Sequence, residues 1–149
     1  MNFRHICIVS IAVFLVACPS ETSSVEHVAV LEVRPDIACI WDRLLAISKW
    51  PRVQTIRDET PVGVTHRFNF ETRRAPHSIG IVIRDDGSFI YRNTAWSPNQ
   101  ELHELQAAQQ SLYEIDEDLD GRCNLIGLVD NVQRACFGKD CDLLTAANE

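Results

Sequence analysis

The stretch Asp116-Glu117-Asp118-Leu119-Asp120-Gly121 holds the densest run of chemically able side chains in this chain of 149 residues. Carboxylates at alternate positions, with Gly sixth to permit a turn, can aim several hard oxygens at one divalent cation, calcium above all. The twelfth position, where such a loop needs a bidentate carboxylate, is Gly127, so Asn124 or Asp130 would have to contribute. The expected ligand set is Asp116, Asp118, Asp120 and Asn124. The competing reading is a solvated acidic helix end, with Asp120 or Asn124 capping the next helix.

A second constellation is cationic. Arg67, Arg73, Arg84 and Arg92 are interleaved with Val82 and Ile90 on segments that alternate apolar and polar residues. On a chain of net charge −7, such a face suits an acidic protein partner, because Arg is favoured at interfaces and complementary charge steers association. The same arginines could equally serve a solvated sheet face, paired with Glu71 or Asp85. The overall charge argues against nucleic acid as a partner.

Histidine chemistry is less promising. His66 falls on one face with Phe68 and Phe70, His77 begins a strand, His103 is near a helix start and His27 near the beginning of the folded part. No nucleophile-elbow or zinc-hydrolase pattern surrounds them, and no unpaired Cys is expected in the exported domain for thiol chemistry. An enzyme is not expected; one would need His66 or His103 to meet a carboxylate in a cleft.

The address is written at the N-terminus. Arg4 and His5 precede an apolar run, Ile6 to Val16, that is too short to span a bilayer and has the build of a secretory signal. Leu15-Val16-Ala17-Cys18 resembles the lipobox of bacterial lipoproteins. That resemblance implies that residues 1–17 are removed, that Cys18 is diacylated, and that the chain is tethered to a membrane. Pro19 stands where an Asp typically marks inner-membrane retention in enteric lipoproteins, which by the same resemblance favours the periplasmic face of the outer membrane. Residues 18–25 read as a lipidated tether, and residues 26–149 as one domain.

Cysteine arithmetic agrees. Cys7 leaves with the signal and Cys18 takes the lipid, leaving Cys39, Cys123, Cys136 and Cys141 in a compartment where disulfides persist.

The carboxylate run also resembles an EF-hand loop and, more distantly, short extracellular calcium modules in which a Cys follows the acidic residues, here Cys123.

The elements that must position these groups follow from periodicity. Val28–Val33 is apolar and β-branched, and Pro35 ends it, so a strand is expected. Asp36–Trp50 reads as a helix, with Ile37, Ile40, Trp41, Leu44, Ile47 and Ser48 on one arc and Pro51 as its stop. Cys39 lies about 200° from Ile37 on that wheel, facing away from the core. Val64–Thr72 alternates as a strand. Ser78–Trp96 is a hairpin turned at Asp85-Asp86-Gly87. A three-residue loop with Gly87 left-handed sets Ile83 opposite Phe89 and Ile81 opposite Tyr91, which brings the apolar sets onto one face.

Ser97-Pro98-Asn99-Gln100 has a capping-box pattern for a helix whose stripe is Leu102, Leu105, Ala108, Leu112, Ile115 and Leu119. Leu125, Leu128, Val129 and Val132 predict a last helix capped by Gly138. The expected order is β-α-β-β-β-α-α, an α+β fold with a mostly antiparallel sheet, helices on one face and two disulfides. A continuous last helix would hold Cys123 and Cys136 about 20 Å apart, so the favoured pairs are Cys39 with Cys123 and Cys136 with Cys141.

Pro35–Val53, with Trp41-Asp42-Arg43-Leu44 and Trp50-Pro51-Arg52-Val53, resembles the first helix of START-like helix-grip proteins. That resemblance implies an apolar ligand carried between sheet and long helix, although four predicted strands are few for such a cavity. The leading expectation is a non-enzymatic protein-binding lipoprotein, either an inhibitor or immunity protein or an accessory subunit of an envelope complex.

Overall fold

A computed structural model describes residues 22–50, 52–97, 101–123, 125, 127–138 and 140–146. Cys18, Asn124 and the Pro98-Asn99-Gln100 part of the expected cap lie outside them. The elements run β1 (Ser23–Leu31), α1 (Ile37–Ile47), β2 (Gln54–Thr60), β3 (Gly63–Glu71), β4 (Pro76–Arg84), β5 (Phe89–Ser97), α2 (Leu102–Arg122), α3 (Leu128–Asn131), β6 (Gln133–Phe137) and α4 (Cys141–Ala146). The strands form one antiparallel sheet in the order β2-β3-β4-β5-β1-β6, with the helices packed on it and both expected disulfides in place.

The hairpin register is the expected one. Ile83 opposes Phe89 and Ile81 opposes Tyr91, and Gly87 takes φ +82° at the end of the three-residue loop. A left-handed residue there lets the flanking strands keep their natural twist, which is why Gly is favoured. Gly63 opens β3 at φ +145°, and a Cβ on it would collide with the Ile83 carbonyl and the Arg84 Cα.

The sheet's inner face carries the core. Phe68, Ile79, Ile81, Tyr91 and Ala29 meet Ile40 and Leu44 of α1 and Ile115 and Leu119 of α2, all essentially buried. A second cluster joins Val25, Ala75 and Ala95 to Leu105, Ala108 and Leu112 of α2 and Leu144 of α4. Each fully buried Leu or Ile contributes about 1.5–3 kcal/mol, so the α2 stripe alone outweighs the weak propensity of a helix carrying Asp, Gly and Ser. These side chains pack the layer between the sheet and helices α1 and α2.

Several expectations are corrected. The first strand runs from Ser23 to Leu31, starting earlier than Val28 and stopping short of Val33. Gln54–Thr60 is a strand that alternation does not signal, because it is the sheet edge and only Ile56 is more than marginally covered. The last predicted helix is only the four residues of α3, followed by β6 pairing with β1. Ser97 does not cap α2: it is the last residue of β5, and Glu101 holds the cap position. Cys39 is half-buried on the flank of α1 and reaches sideways to Cys123 at the end of α2, with a Cα separation of 5.4 Å. Asp36, as expected for a helix start, accepts from the Cys39 N–H at 3.0 Å.

Candidate functional site

Among the described residues no helix packs on the outer face of the sheet, and strand register decides what stands on it. Arg67 of β3 and Arg92 of β5 both pair directly with Gly80 of β4. Side chains of paired residues lie on the same face, so two exposed arginines flank a position with no side chain. Open space surrounds Gly80 where a Cβ would stand. The result is a trough floored by backbone, with Arg67 on one side and Arg92 on the other, the Arg92 guanidinium being drawn toward Glu26 of β1.

The next row toward the hairpin turn is apolar across β4, β5 and β1: Val82 pairs with Ile90, and Ile90 with Val30, which is 65% exposed. Arg84 closes β4 on the same face. Glu26 of β1 reaches the Arg92 guanidinium at 3.5 Å and also accepts from Thr94 at 3.2 Å. Arg92 is thereby oriented while its side chain stays 60% exposed.

Arg73 does not belong to this face. It lies in the turn between β3 and β4, lining a cleft of about 490 Å³ with Lys49, Thr72, Arg74 and Ser111. Three of the four predicted arginines therefore share a surface.

The inner face holds a polar network that sequence reasoning missed. Asp116 of α2, 2% exposed, accepts from Tyr91 at 2.5 Å and from the Asn93 amide at 3.0 Å, and its other oxygen meets His27 Nδ1 at 2.6 Å. With its amide nitrogen committed to Asp116, Asn93 offers its oxygen to His77 Nδ1 at 3.3 Å. The His77 Nε2 lone pair then accepts the Ser111 hydroxyl at 2.8 Å. Burial pushes His77 down to about 4, against weaker upward effects of Asn93 and Asp116. Burial also drives Tyr91 well above its ordinary value, reinforced by the Asp116 charge and hydrogen bond.

The order Ser111, His77, Asn93 has the connectivity of a nucleophile relay, but its parts do not suit one. Ser111 is 2% exposed and hydrogen-bonded to His77 and Thr72, and a base near 4 takes up a proton weakly at neutral pH. The network ties α2 to three strands instead. Among the described residues, no buried side-chain nitrogen or oxygen lacks a partner. Register brings these groups together: His27 faces Asn93, and Asn93 faces Ile79, so polar residues occupy inward positions on neighbouring strands.

The carboxylate run does not form an EF-hand-like loop. Residues 116–121 lie within α2, where alternate residues diverge by about 200°. Asp116 points into the core. Asp118 takes a two-pronged bond from Arg43 at 2.9 and 2.8 Å and a third contact from Arg122 at 3.1 Å. Asp120 accepts the Leu128 N–H at 2.7 Å, which is the helix-capping alternative. Among the described residues no group of three or more His, Cys, Asp or Glu is placed to hold a metal ion.

The other two histidines stay apart. His66 is half-buried on β3 and lowered by burial and by Arg57 and Arg34, whereas the exposed His103 pairs with Glu101 at 3.1 Å. Among the described residues no helix is long and apolar enough to cross a membrane.

Comparison with protein-family models gives no match, and neither does comparison with curated proteins.

Proposed function

We propose that this chain is an exported, lipid-anchored binding module that presents the outer face of its sheet to an acidic protein surface at the periplasmic side of the outer membrane. The observation that carries the reading is the row Arg67, Gly80, Arg92 beside the apolar row Val82, Ile90, Val30. An acidic surface laid on this row would find two exposed arginines, one of them already beside Glu26, and the neighbouring stripe would bury apolar area, the combination that makes a binding centre.

Export is supported by Leu15-Val16-Ala17-Cys18 and by the two disulfides, which persist in oxidising compartments. Anchoring fits a stoichiometric blocker held where an incoming toxin or hydrolase acts, so an inhibitor or immunity role comes before an accessory-subunit role.

The test is co-purification from detergent-solubilised envelopes of the native host, comparing the parent with an Arg67→Glu, Arg92→Glu double variant. The expected result is one stoichiometric acidic protein with the parent and none with the variant. Equal recovery by both, or no partner at any salt concentration, contradicts the proposal.

A further inference from the structure

The end of the sheet at which β1 begins differs from the other end. Ser23 and Ser24 open β1, and Ser24 pairs with Trp96 on one side and Phe137 on the other. His77 pairs with Ala95, which sets Pro76 beside Trp96, and Pro76 pairs with Glu71. Glu71 in turn receives Lys49 at 3.1 Å and the Trp50 indole at 3.3 Å. On the β6 side, Cys141 of α4 is bridged to Cys136, and Asp140 accepts from Ser23 at 3.1 Å. One rim thus runs from Trp50 through Trp96 and Phe137 to Leu143. Trp50 is 55%, Phe137 54% and Leu143 55% exposed.

Only four residues, Pro19 to Thr22, separate Cys18 from β1. Even fully extended, that stretch carries β1 no more than about 18 Å from the acylated residue. We infer that this rim seats directly on the bilayer that holds the acyl chains, with Trp50, Phe137 and Leu143 in the headgroup region. The inference rests on the lipid-anchor reading above.

Aromatic side chains with a polar tip or an exposed ring edge favour that region, and a second contact adds to the hold of the acyl chains. Charge on the rim is mixed. Lys49 is paired with Glu71 and Arg74 with Glu114, and Arg73 has no ion-pair partner among the described residues. Glu101, Glu104, Asp140 and Asp142 lie at the same end. A zwitterionic surface is therefore the fitting one. Seated this way, the strands rise from the membrane, and Arg92, four residues along β5 from Trp96, stands roughly 13 Å above it.

The experiment uses the mature lipidated protein in phosphatidylcholine vesicles, with a nitroxide on Leu143→Cys or on Val62→Cys. Val62 is 68% exposed in the β2–β3 turn at the far end of the sheet. Intact mass first establishes acylation at Cys18, and collision with oxygen against a nickel chelate then reports the environment of each label. The expected result is a lipid-facing label at 143 and a water-facing label at 62. Water exposure at both, or lipid exposure at both, overturns the seat and leaves the anchor standing. An unacylated protein overturns both.

Discussion

His27 Nδ1 lies 2.6 Å from Asp116 Oδ2, and both side chains are almost wholly buried. This pair joins β1 to α2, and Tyr91 and Asn93 complete the carboxylate's shell.

Removing the acceptor leaves three buried donors without a partner, the costliest form of a lost hydrogen bond. Asp116→Ala is expected to lower stability by about 3–5 kcal/mol, read as a shift in the urea midpoint at unchanged slope. A loss below about 1 kcal/mol would show that the network is not what holds α2 to the sheet.

Acid should weaken the fold through His77. Above pH 6.5 the ring is neutral in both states. Below it the unfolded chain takes up a proton that the folded chain refuses until pH about 4. Stability therefore falls as pH drops through this window, by roughly 3 kcal/mol in all. Urea titrations at pH 7, 5.5 and 4.5 should show that slope, and His77→Gln should flatten it.

Two glycines make opposite predictions. Gly63→Ala forces a Cβ into backbone at a φ that L residues rarely adopt, so a loss of at least about 2 kcal/mol is expected in thermal or urea unfolding. Gly80→Ala meets nothing within 4 Å, so stability should change by under about 1 kcal/mol. The same change fills the trough between Arg67 and Arg92 and should weaken partner binding.

The disulfides should differ in weight. Cys39 and Cys123 are 84 residues apart and Cys136 and Cys141 only 5. Chain-entropy reasoning assigns about 4–5 kcal/mol to the first and about 2 kcal/mol to the second. Replacing each pair by Ser and comparing unfolding midpoints tests the ranking.

Legibility followed burial. The β4–β5 register could be read because one register alone brings Ile81, Ile83, Phe89 and Tyr91 onto a single face and Gly87 supplies the loop. Edge strand β2 could not, since Gln54–Thr60 covers no core and leaves no apolar alternation. Cys39–Cys123 and Cys136–Cys141 form as expected, although α3 is only four residues long and no continuous helix separates Cys123 from Cys136. The acidic run was ambiguous, since carboxylates at alternate positions suit either a calcium loop or an acidic helix end, and the burial of Leu119 together with Leu112 and Ile115 just before it is what keeps the run helical. The network around His27 and His77 could not be read, because the groups they meet, Asp116 for His27 and Asn93 with Ser111 for His77, come from other strands and from a distant helix.

Affinity for the recovered partner, measured as ionic strength is raised, tests the binding face most directly. Parent binding should weaken with salt, and Arg67→Glu with Arg92→Glu should cost about 100-fold or more. Glu26→Gln, which removes the carboxylate beside Arg92, should tighten it. Affinities that are indifferent to salt and equal across these variants would contradict the account.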